Sequence, residues 1–531
     1  MSRVGQPLSI SQSLQNERCD YEAAKRGGRF QRRRRGVPVM GAGADYHYRS
    51  ESDYLWMGEV ARDMYRNDPI LGQVTDRAVI NWIGSGLTPD PNTGDRKVDK
   101  YLKDKWADEC EEPDLCDVAG ELTFHEQEIM VGREILVPGD CFGAFMPNGT
   151  TQLIESHRCR KPSRTTKNIV HGIELDKDTR EKLRGWFSKE PIDPLANGIK
   201  VSDLRPIDFR DREGERQLMH IYSPKRITQT RGVTAYAPII VTAGMFGDLN
   251  FAHLLKCQLN AMWMLVRKRE KGFFEDNPML AQLGITRDML DSVGGRRTEA
   301  LAPGAELVSN PGETITPWNA NNPPAEFFPH ARLIMTLIGI NLGMPLVLLL
   351  MDASETNFSG YRGAVDQARL GFRHNQRILK ARFHRPTWRF KVNYWADHDP
   401  YLRAARERLG KTYFRHRWHT PGWPYIEPMK DAQTDLLRAA NMQSSPRRLA
   451  MERGNEWEEI YTETIEDRGN AIKKACAAAK KLNDSFKLAG TDIVSWRDLA
   501  PLPTPQGVTV QIKGTEDTGE QPNAKSAKSA A

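Results

Sequence analysis

The segment Ala405-Arg406-Glu407-Arg408-Leu409-Gly410-Lys411-Thr412 ends in the Gly-Lys-Thr of a phosphate loop and is the sharpest match to a catalytic motif in the sequence. Such a loop cradles phosphates with backbone N–H groups between an apolar strand and a helix, and its lysine reaches the outer phosphates. Here the first glycine is replaced by Ala405, and Tyr401 to Ala404 continue a charged helical pattern. The context therefore predicts a coincidental match. His125-Glu126 would begin a zinc helix, but the position that should hold the second histidine is Ile129, and Cys110 and Cys116 have no second pair. A Gly-x-Ser-x-Gly elbow is absent, and Gly41-Ala42-Gly43 lacks the third glycine and the strand of a dinucleotide fold. Asp352 and Glu355 have the chemistry of an acid and base pair, yet they sit in a polar loop and read as solvated acids. The expectation is no catalytic residue, no metal and no cofactor.

The elements around these residues are those of a large multidomain chain. Its 531 residues exceed one compact core, and 39% hydrophobic with 27% charged residues is a globular composition. Seven scattered cysteines argue against a disulfide framework and for free thiols in a reducing compartment. No secretory signal pattern opens the chain, so the cytoplasm is the expected site of synthesis. The net charge of +7 is modest, but seven basic residues and no acid fall between Lys25 and Arg35, including the run Arg32, Arg33, Arg34, Arg35. Such an arm either neutralises phosphates without reading sequence or is a solvated tail, and composition does not separate the two.

Leu333 to Met351 is uncharged for nineteen residues, the length of a membrane span. Gly339, Asn341, Gly343 and Pro345 interrupt it, so it reads instead as a helix ending near Gly343 followed by an apolar strand or turn, both buried against protein. Between 244 and 269 a mostly apolar helix is expected, with His253, Lys256, Asn260 and Arg267 sharing one narrow polar face. Residues 272–324 are rich in Pro and Gly and form a turn-rich excursion, after which Phe327, Ala331, Ile334 and Ile338 resume the helical pattern. Upstream, residues 53–83 are helical with a break at Asp68-Pro69, and alternating short strands and turns are expected from there to about Pro238. Downstream of the loop Asp352 to Gly360, a basic helix carries Arg369, Arg373, Arg377, Lys380 and Arg382. Ser445-Pro446 and Asn455 open further helices, and the end of the chain is of low complexity.

Several landmarks in a shared order resemble the portal proteins of lambda-like tailed phages. They are residues 65–69 (YRNDP), 83–87 (IGSGL), 220–233 (HIYSPKRITQTRGV), 301–312 (LAPGAELVSNPG), 339–345 (GINLGMP), 352–362 (DASETNFSGYR) and 418–430 (WHTPGWPYIEPMK), together spanning about 53–480. The resemblance implies an α+β, predominantly helical, multidomain portal fold assembled as a closed ring, usually of twelve subunits. It would divide this chain into a basic arm (1–45), a mixed α/β wing (46–243), a first stem helix (244–271), a clip (272–324), a second stem helix (325–351), a tunnel loop (352–360), a wing return helix (361–429), a helical crown (430–485) and a tail (486–531).

The tunnel loop implied on that pattern is Asp352, Ser354, Glu355, Thr356, Asn357, Phe358, Ser359 and Gly360, although Gly360 and Tyr361 depart from the small polar residues often found there. Its acids and small side chains suit a channel that must let DNA pass, since many simultaneous phosphate contacts would hold the duplex. His253, Lys256, Asn260 and Arg267 would face the channel. Arg287, Arg296 and Arg297 would offer clip contacts to the terminase large subunit during packaging and to head-completion proteins afterwards. Arg32, Arg33, Arg34 and Arg35 lie outside the landmarks and are left to DNA, scaffold or capsid. The implied partners are further copies of the chain, the major capsid and scaffold proteins, and double-stranded DNA held non-specifically and transiently, with no membrane. The implied place is the portal vertex of the virion, after assembly in the host cytoplasm. The alternative is a nucleic-acid-processing ATPase resting on Gly410-Lys411-Thr412.

Overall fold

The computed structural model describes residues 51–163, 168–196, 198–262, 265–267, 306–308, 327–354, 356–424, 426–455, 457–486 and 493–499. Calls on Arg32 to Arg35, Glu355, Arg287, Arg296 and Arg297 lie outside these residues. The described residues fall into two units, the larger reaching Ala432 and taking in Glu452–Gly454.

The larger unit opens with α1 (Glu51–Asn67) and α2 (Pro69–Ile83). Asp68 separates them: its carboxylate accepts from the N–H groups of Ile70 (2.8 Å) and Leu71 (3.0 Å), and Pro69 fills the first helical position, where a missing N–H costs nothing. Residues 88–137 depart from the expected strands and turns. β1 (Thr88–Pro91) is followed by two helices, α3 (Arg96–Cys110) and α4 (Phe124–Leu136). α3 buries Val98, Leu102 and Trp106 at helical spacing, and α4 begins with a capping box in which the Thr123 hydroxyl and the Glu126 carboxylate satisfy each other's backbone N–H groups. That box, rather than a metal, is the role of Glu126.

β2 (Asp140–Phe145), β3 (Thr151–Glu155) and β8 (Leu218–Tyr222) make an antiparallel sheet with β2 in the middle. Every residue of β2 and β8 is buried, so neither strand shows the alternation of a half-exposed sheet. A second antiparallel sheet runs in order through β4 (Ile169–Val170), β5 (Ile173–Leu175), β6 (Lys182–Ser188) and β7 (Leu204–Asp208). Phe142, Ile173, Phe187 and Leu218 form a core cluster of their own with their neighbours.

Two long helices leave this body. α5 (Ile240–Met262) begins before the expected position, and β9 (Leu265–Arg267) stands where the helix was expected to continue. Arg267 is therefore on a strand and does not share the helical face of His253 and Lys256. β9 pairs in parallel with β10 (Glu306–Val308), a strand that falls within residues 272–324. α6 (Phe327–Leu342) then returns.

α7 (Phe358–Leu379) passes through a π turn (Lys380–His384) directly into α8 (Arg385–His398). Pro386 explains the widened turn: it has no N–H for the helical ladder and its ring crowds the preceding turn, a conflict that a π segment relieves. α9 (Pro400–Leu409) and β11 (His416–His419), paired with β1, close the unit. Trp106, Phe124, Phe383, Trp388, Trp395 and Trp418 interlock at its centre, with Trp106 and Phe124 edge to face at 4.9 Å and Phe124 stacked on Phe383 at 5.3 Å.

The second unit holds most of α10 (Pro428–Ala440), α11 (Pro446–Glu452) up to Met451, and the long α12 (Trp457–Phe486). Ala475 and Ala479 are buried there, the Asn483 side chain pairs with both backbone groups of Val494 at 3.0 Å, and Ile465 and Phe486 stay exposed.

Candidate functional site

α5 and α6 pack antiparallel. His253, late in α5, lies with its ring 4.2 Å from that of Phe327 at the start of α6, while Asn341 near the end of α6 donates to the Ala235 carbonyl at 2.5 Å, just before α5. α6 buries Ala331, Ile334, Ile338 and Leu342. Its other face is also apolar and stays open, with Leu333 and Leu337 exposed and Ile340 70% exposed. α5 likewise leaves Phe251 69% and Leu254 64% exposed. Large apolar side chains exposed along a helix mark an interaction surface. His253, expected on the channel face, is half-buried against Phe327 of the returning helix. Lys256 is half-buried on the same helix, and for Asn260 only the backbone position is described.

The GINLGMP landmark ends α6. Gly343 adopts φ +71°, its N–H donates to the Ile340 carbonyl at 3.2 Å, and the Met344 N–H donates to the Gly339 carbonyl at 2.8 Å. These two bonds are the Schellman arrangement. Gly339 is needed because a Cβ there would meet the Met344 carbonyl oxygen at 2.5 Å. The two glycines thus turn the chain sharply, and Leu346–Leu350 forms one helical turn, where the sequence suggested an apolar strand or turn. No helix among the described residues is long and apolar enough to cross a membrane.

The loop after this turn is anchored at both ends. Arg77 of α2 donates to the Leu348 carbonyl at 3.2 Å and also to that of Leu349, taking up orphan carbonyls of the helical turn. Met351 then takes a left-handed conformation at φ 54°, uncommon for a residue with a side chain. Asp352 accepts from the Ser354 N–H at 2.9 Å, a bond that holds its carboxyl below the ordinary carboxylate range. At the far end Asn357 caps α7, accepting from the Gly360 N–H at 2.7 Å. Phe358, Ser359 and Gly360, expected in the loop, are the first turn of α7; the loop proper is 352–357. Phe358 is half-exposed. Arg77 was not legible in the sequence, since its partners lie far along the chain.

The phosphate-loop candidate fails on geometry. Ala405 to Leu409 are the C-terminal half of α9, and Gly410 caps that helix. A helix C-terminus presents carbonyls, the wrong end for a phosphate. The Thr412 hydroxyl donates to the Leu409 carbonyl instead of facing a metal. No group of three or more metal-capable side chains occurs among the described residues.

The most perturbed ionisable groups lie elsewhere, at Asp140. Its carboxylate is fully buried and accepts from Tyr54 Oη (2.8 Å), His220 Nε2 (2.8 Å), Arg231 Nε (2.6 Å) and Nη2 (3.1 Å), and the Gly232 N–H (3.0 Å). Burial pushes its pKa up, but Arg231 and His220 win and hold it far below the usual range. Arg231 spends its remaining N–H groups on the carbonyls of Ser156, Cys159 and His171, so it ties both sheets to α1. Burial, and next the Lys182 ammonium, drive His220 well below its ordinary pKa. The neutral ring then carries its proton on Nε2 for Asp140 and accepts on Nδ1 from Lys182 Nζ at 2.7 Å. The Asp140 carboxylate, the Arg231 guanidinium and the His220 ring all spend their hydrogen-bonding groups on buried partners, which makes the cluster a structural knot rather than a reaction centre.

Lys182 carries a measurable signature of that knot. Burial, with Arg382 next, lowers its pKa to about 7. Between the unfolded value of roughly 10.4 and pH 7 the unfolded chain takes up a proton that the folded chain refuses, so stability falls as pH falls through this window. Lys182→Met removes the effect. From pH 9.5 to pH 7 the wild type is expected to lose roughly 1–3 kcal/mol relative to the variant in urea unfolding; parallel profiles would count against the assignment.

A helix pair that is apolar on its outward as well as its inward side, joined by a tight glycine turn to a tethered polar loop, has no enzymatic counterpart in the described residues. The profile for phage portal proteins of the lambda family matches residues 31–376. That span takes in Arg32 to Arg35, which the landmarks left outside, and ends before the landmark at 418–430. No curated protein matches the chain. Similar solved chains include one from the neck of an empty GTA particle computed with C6 symmetry, with 13% identity, a TM-score of 0.37 and coverage of 75% of this chain and 93% of that one. Another comes from the virion of a native gene transfer agent particle, with 13% identity, a TM-score of 0.37 and coverage of 79% and 96%. With the family match extending over α1 to α7 and taking in both open helices and the loop between them, the chain belongs to the lambda family of phage portal proteins, structural components of the virion that serve DNA packaging into the capsid.

Proposed function

We propose that copies of this chain close into a ring around a passage for double-stranded DNA, with α5 and α6 as the stem and the loop 352–357 as its tunnel constriction. The observation that carries this reading is the open apolar face of the helix pair, Phe251 and Leu254 on α5 with Leu333, Leu337 and Ile340 on α6. Neighbouring copies in a ring cover such a face on every subunit, and a closed ring leaves no unpaired end. The wing is then 46–243, the clip 272–324, the return helix 361–429 and the crown 430–485, with the arm 1–45 and the tail 486–531 at the two ends. During packaging the clip docks the terminase large subunit, with Arg287, Arg296 and Arg297 as contacts, and afterwards it docks the head-completion proteins. Capsid and scaffold proteins hold the wing at one vertex of a particle assembled in the host cytoplasm.

The loop suits transient contact with DNA. Its described side chains include one carboxylate and several small polar groups, so it adds little phosphate affinity to oppose sliding. Mass photometry of the purified full chain tests the ring: twelve copies of a 60.3 kDa chain give about 0.7 MDa. A particle that stays at the mass of one chain under assembly conditions would overturn the reading.

A further inference from the structure

Arg377, Lys380, Arg385 and Arg417 surround a cavity of about 360 Å³ that His416 and Trp418 complete. No carboxylate lines it, and none of the four cations forms a hydrogen bond or ion pair with another described residue. The charges therefore confront one another. Lys380 has its pKa lowered by burial and then by Arg377 and Arg385, while Arg377, Arg385 and Arg417 are exposed to solvent.

Two buried ring nitrogens on the same wall also lack partners. Trp418 is only 8% exposed, and its indole N–H has no acceptor among the described residues. His416 donates from Nδ1 to the Phe414 carbonyl at 2.8 Å, leaving Nε2 buried without a partner. Both nitrogens are closed off from the cavity, so a ligand there would meet the cationic side chains rather than these rings. The backbone is unusual at the same place: Lys380 opens the π turn and Arg385 follows it, and π turns inside α-helices recur at functional sites.

We propose that this cavity binds a phosphate group of a nucleic-acid backbone, at a site separate from the loop 352–357. Arginine guanidinium groups pair with phosphate in a fork that a lysine cannot reproduce, and three of the four cations are arginines. The basic row continues along α7 to Arg373, one turn before Arg377, which lies over the Trp423 ring at 5.6 Å. A row of cations at the helical pitch fits successive phosphates better than one isolated anion. An acidic peptide is less well served, because the single large apolar side chain in the cavity, Trp418, is already almost wholly covered.

The test uses the full-length protein and a fluorescein-labelled 20-base-pair duplex, with anisotropy titrations at several salt concentrations. Lys380→Gln with Arg417→Gln is expected to weaken binding about tenfold and to lower the slope of log affinity against log salt by roughly two. Arg406→Gln with Arg408→Gln removes the same charge from the pairs with Asp397 (2.8 Å) and Asp95 (2.6 Å) and serves as the control, expected to change neither. Equal losses in both double variants would reduce the effect to net charge and overturn the site, as would no loss in either. So would an octaglutamate peptide whose binding depends on Lys380 and Arg417 when duplex binding does not. Particle mass and thermal unfolding, read in the same samples, separate failure of this site from failure of ring assembly or of folding.

Discussion

Ile340→Asp is expected to convert the assembled particle to single chains of 60.3 kDa while leaving the fold of each chain intact. Ile340 is 70% exposed in the isolated subunit, so the change removes little packing there, and exposed substitutions of this kind usually alter stability by no more than about 0.5 kcal/mol. In the proposed ring the same position would be enclosed between two copies by apolar side chains. An aspartate placed there is a buried charge without a partner, costing about 3–5 kcal/mol at each contact, and a ring repeats that cost at every subunit boundary. Mass photometry and urea unfolding of one preparation read both quantities. Rings that persist in the variant would show that this face of α6 is not between subunits. Loss of mass together with an early unfolding midpoint would show only a damaged chain.

Arg231→Met is expected to be the most damaging single change in the larger unit, at about 3–5 kcal/mol. It leaves the fully buried Asp140 without its guanidinium and abandons the carbonyls of Ser156, Cys159 and His171 at once. Arg389→Met is the comparison, because its pair with Glu215 at 2.7 Å is more than half exposed on the arginine side and is worth less than about 1 kcal/mol. The two substitutions also differ in pH dependence. The folded pKa of Asp140 is depressed, so its contribution is complete above the unfolded value of roughly 3.9 and is lost as pH falls below it. In the Arg231 variant that acid-side loss shrinks, since the carboxylate no longer has its strongest reason to stay ionised. Equal unfolding midpoints for the two variants at pH 7 would refute the assignment of Asp140 as the structural knot of the larger unit.

Local signals in the sequence carried further than distant ones. Asp68-Pro69 announced the break between α1 and α2, Ser445-Pro446 the start of α11, and the glycines at 339 and 343 with Pro345 the end of α6. Each acts within one turn of backbone, where residue type nearly fixes the geometry. The helices α3 and α4 were legible in principle, from Val98, Leu102 and Trp106 and from the Thr123 and Glu126 capping box, but a region otherwise rich in short strands hid them. Asp140, His220 and Arg231 could not be assembled from spacing, because the strands that bring them together pair only in three dimensions. The same holds for Arg77 and the Leu348 carbonyl.

The polar stripe on α5 was legible in the sequence, but its packing against α6 was not. In the single chain His253 meets Phe327 of the returning helix, and large apolar side chains of α5 are exposed. The basic helix around Arg377 was visible, but the contribution of Arg417, His416 and Trp418 from β11 was not, since that strand lies far along the chain from Arg377 and Lys380 and meets them only in the fold.

Cryo-electron microscopy of the purified full-length protein tests the account at its centre. The expected image is a closed ring of subunits in which α5 and α6 are sandwiched between copies, with residues 352–357 projecting into a hole wide enough for a duplex. An open chain of subunits, a solitary subunit, or a ring in which Leu333, Leu337 and Ile340 still face solvent would contradict it.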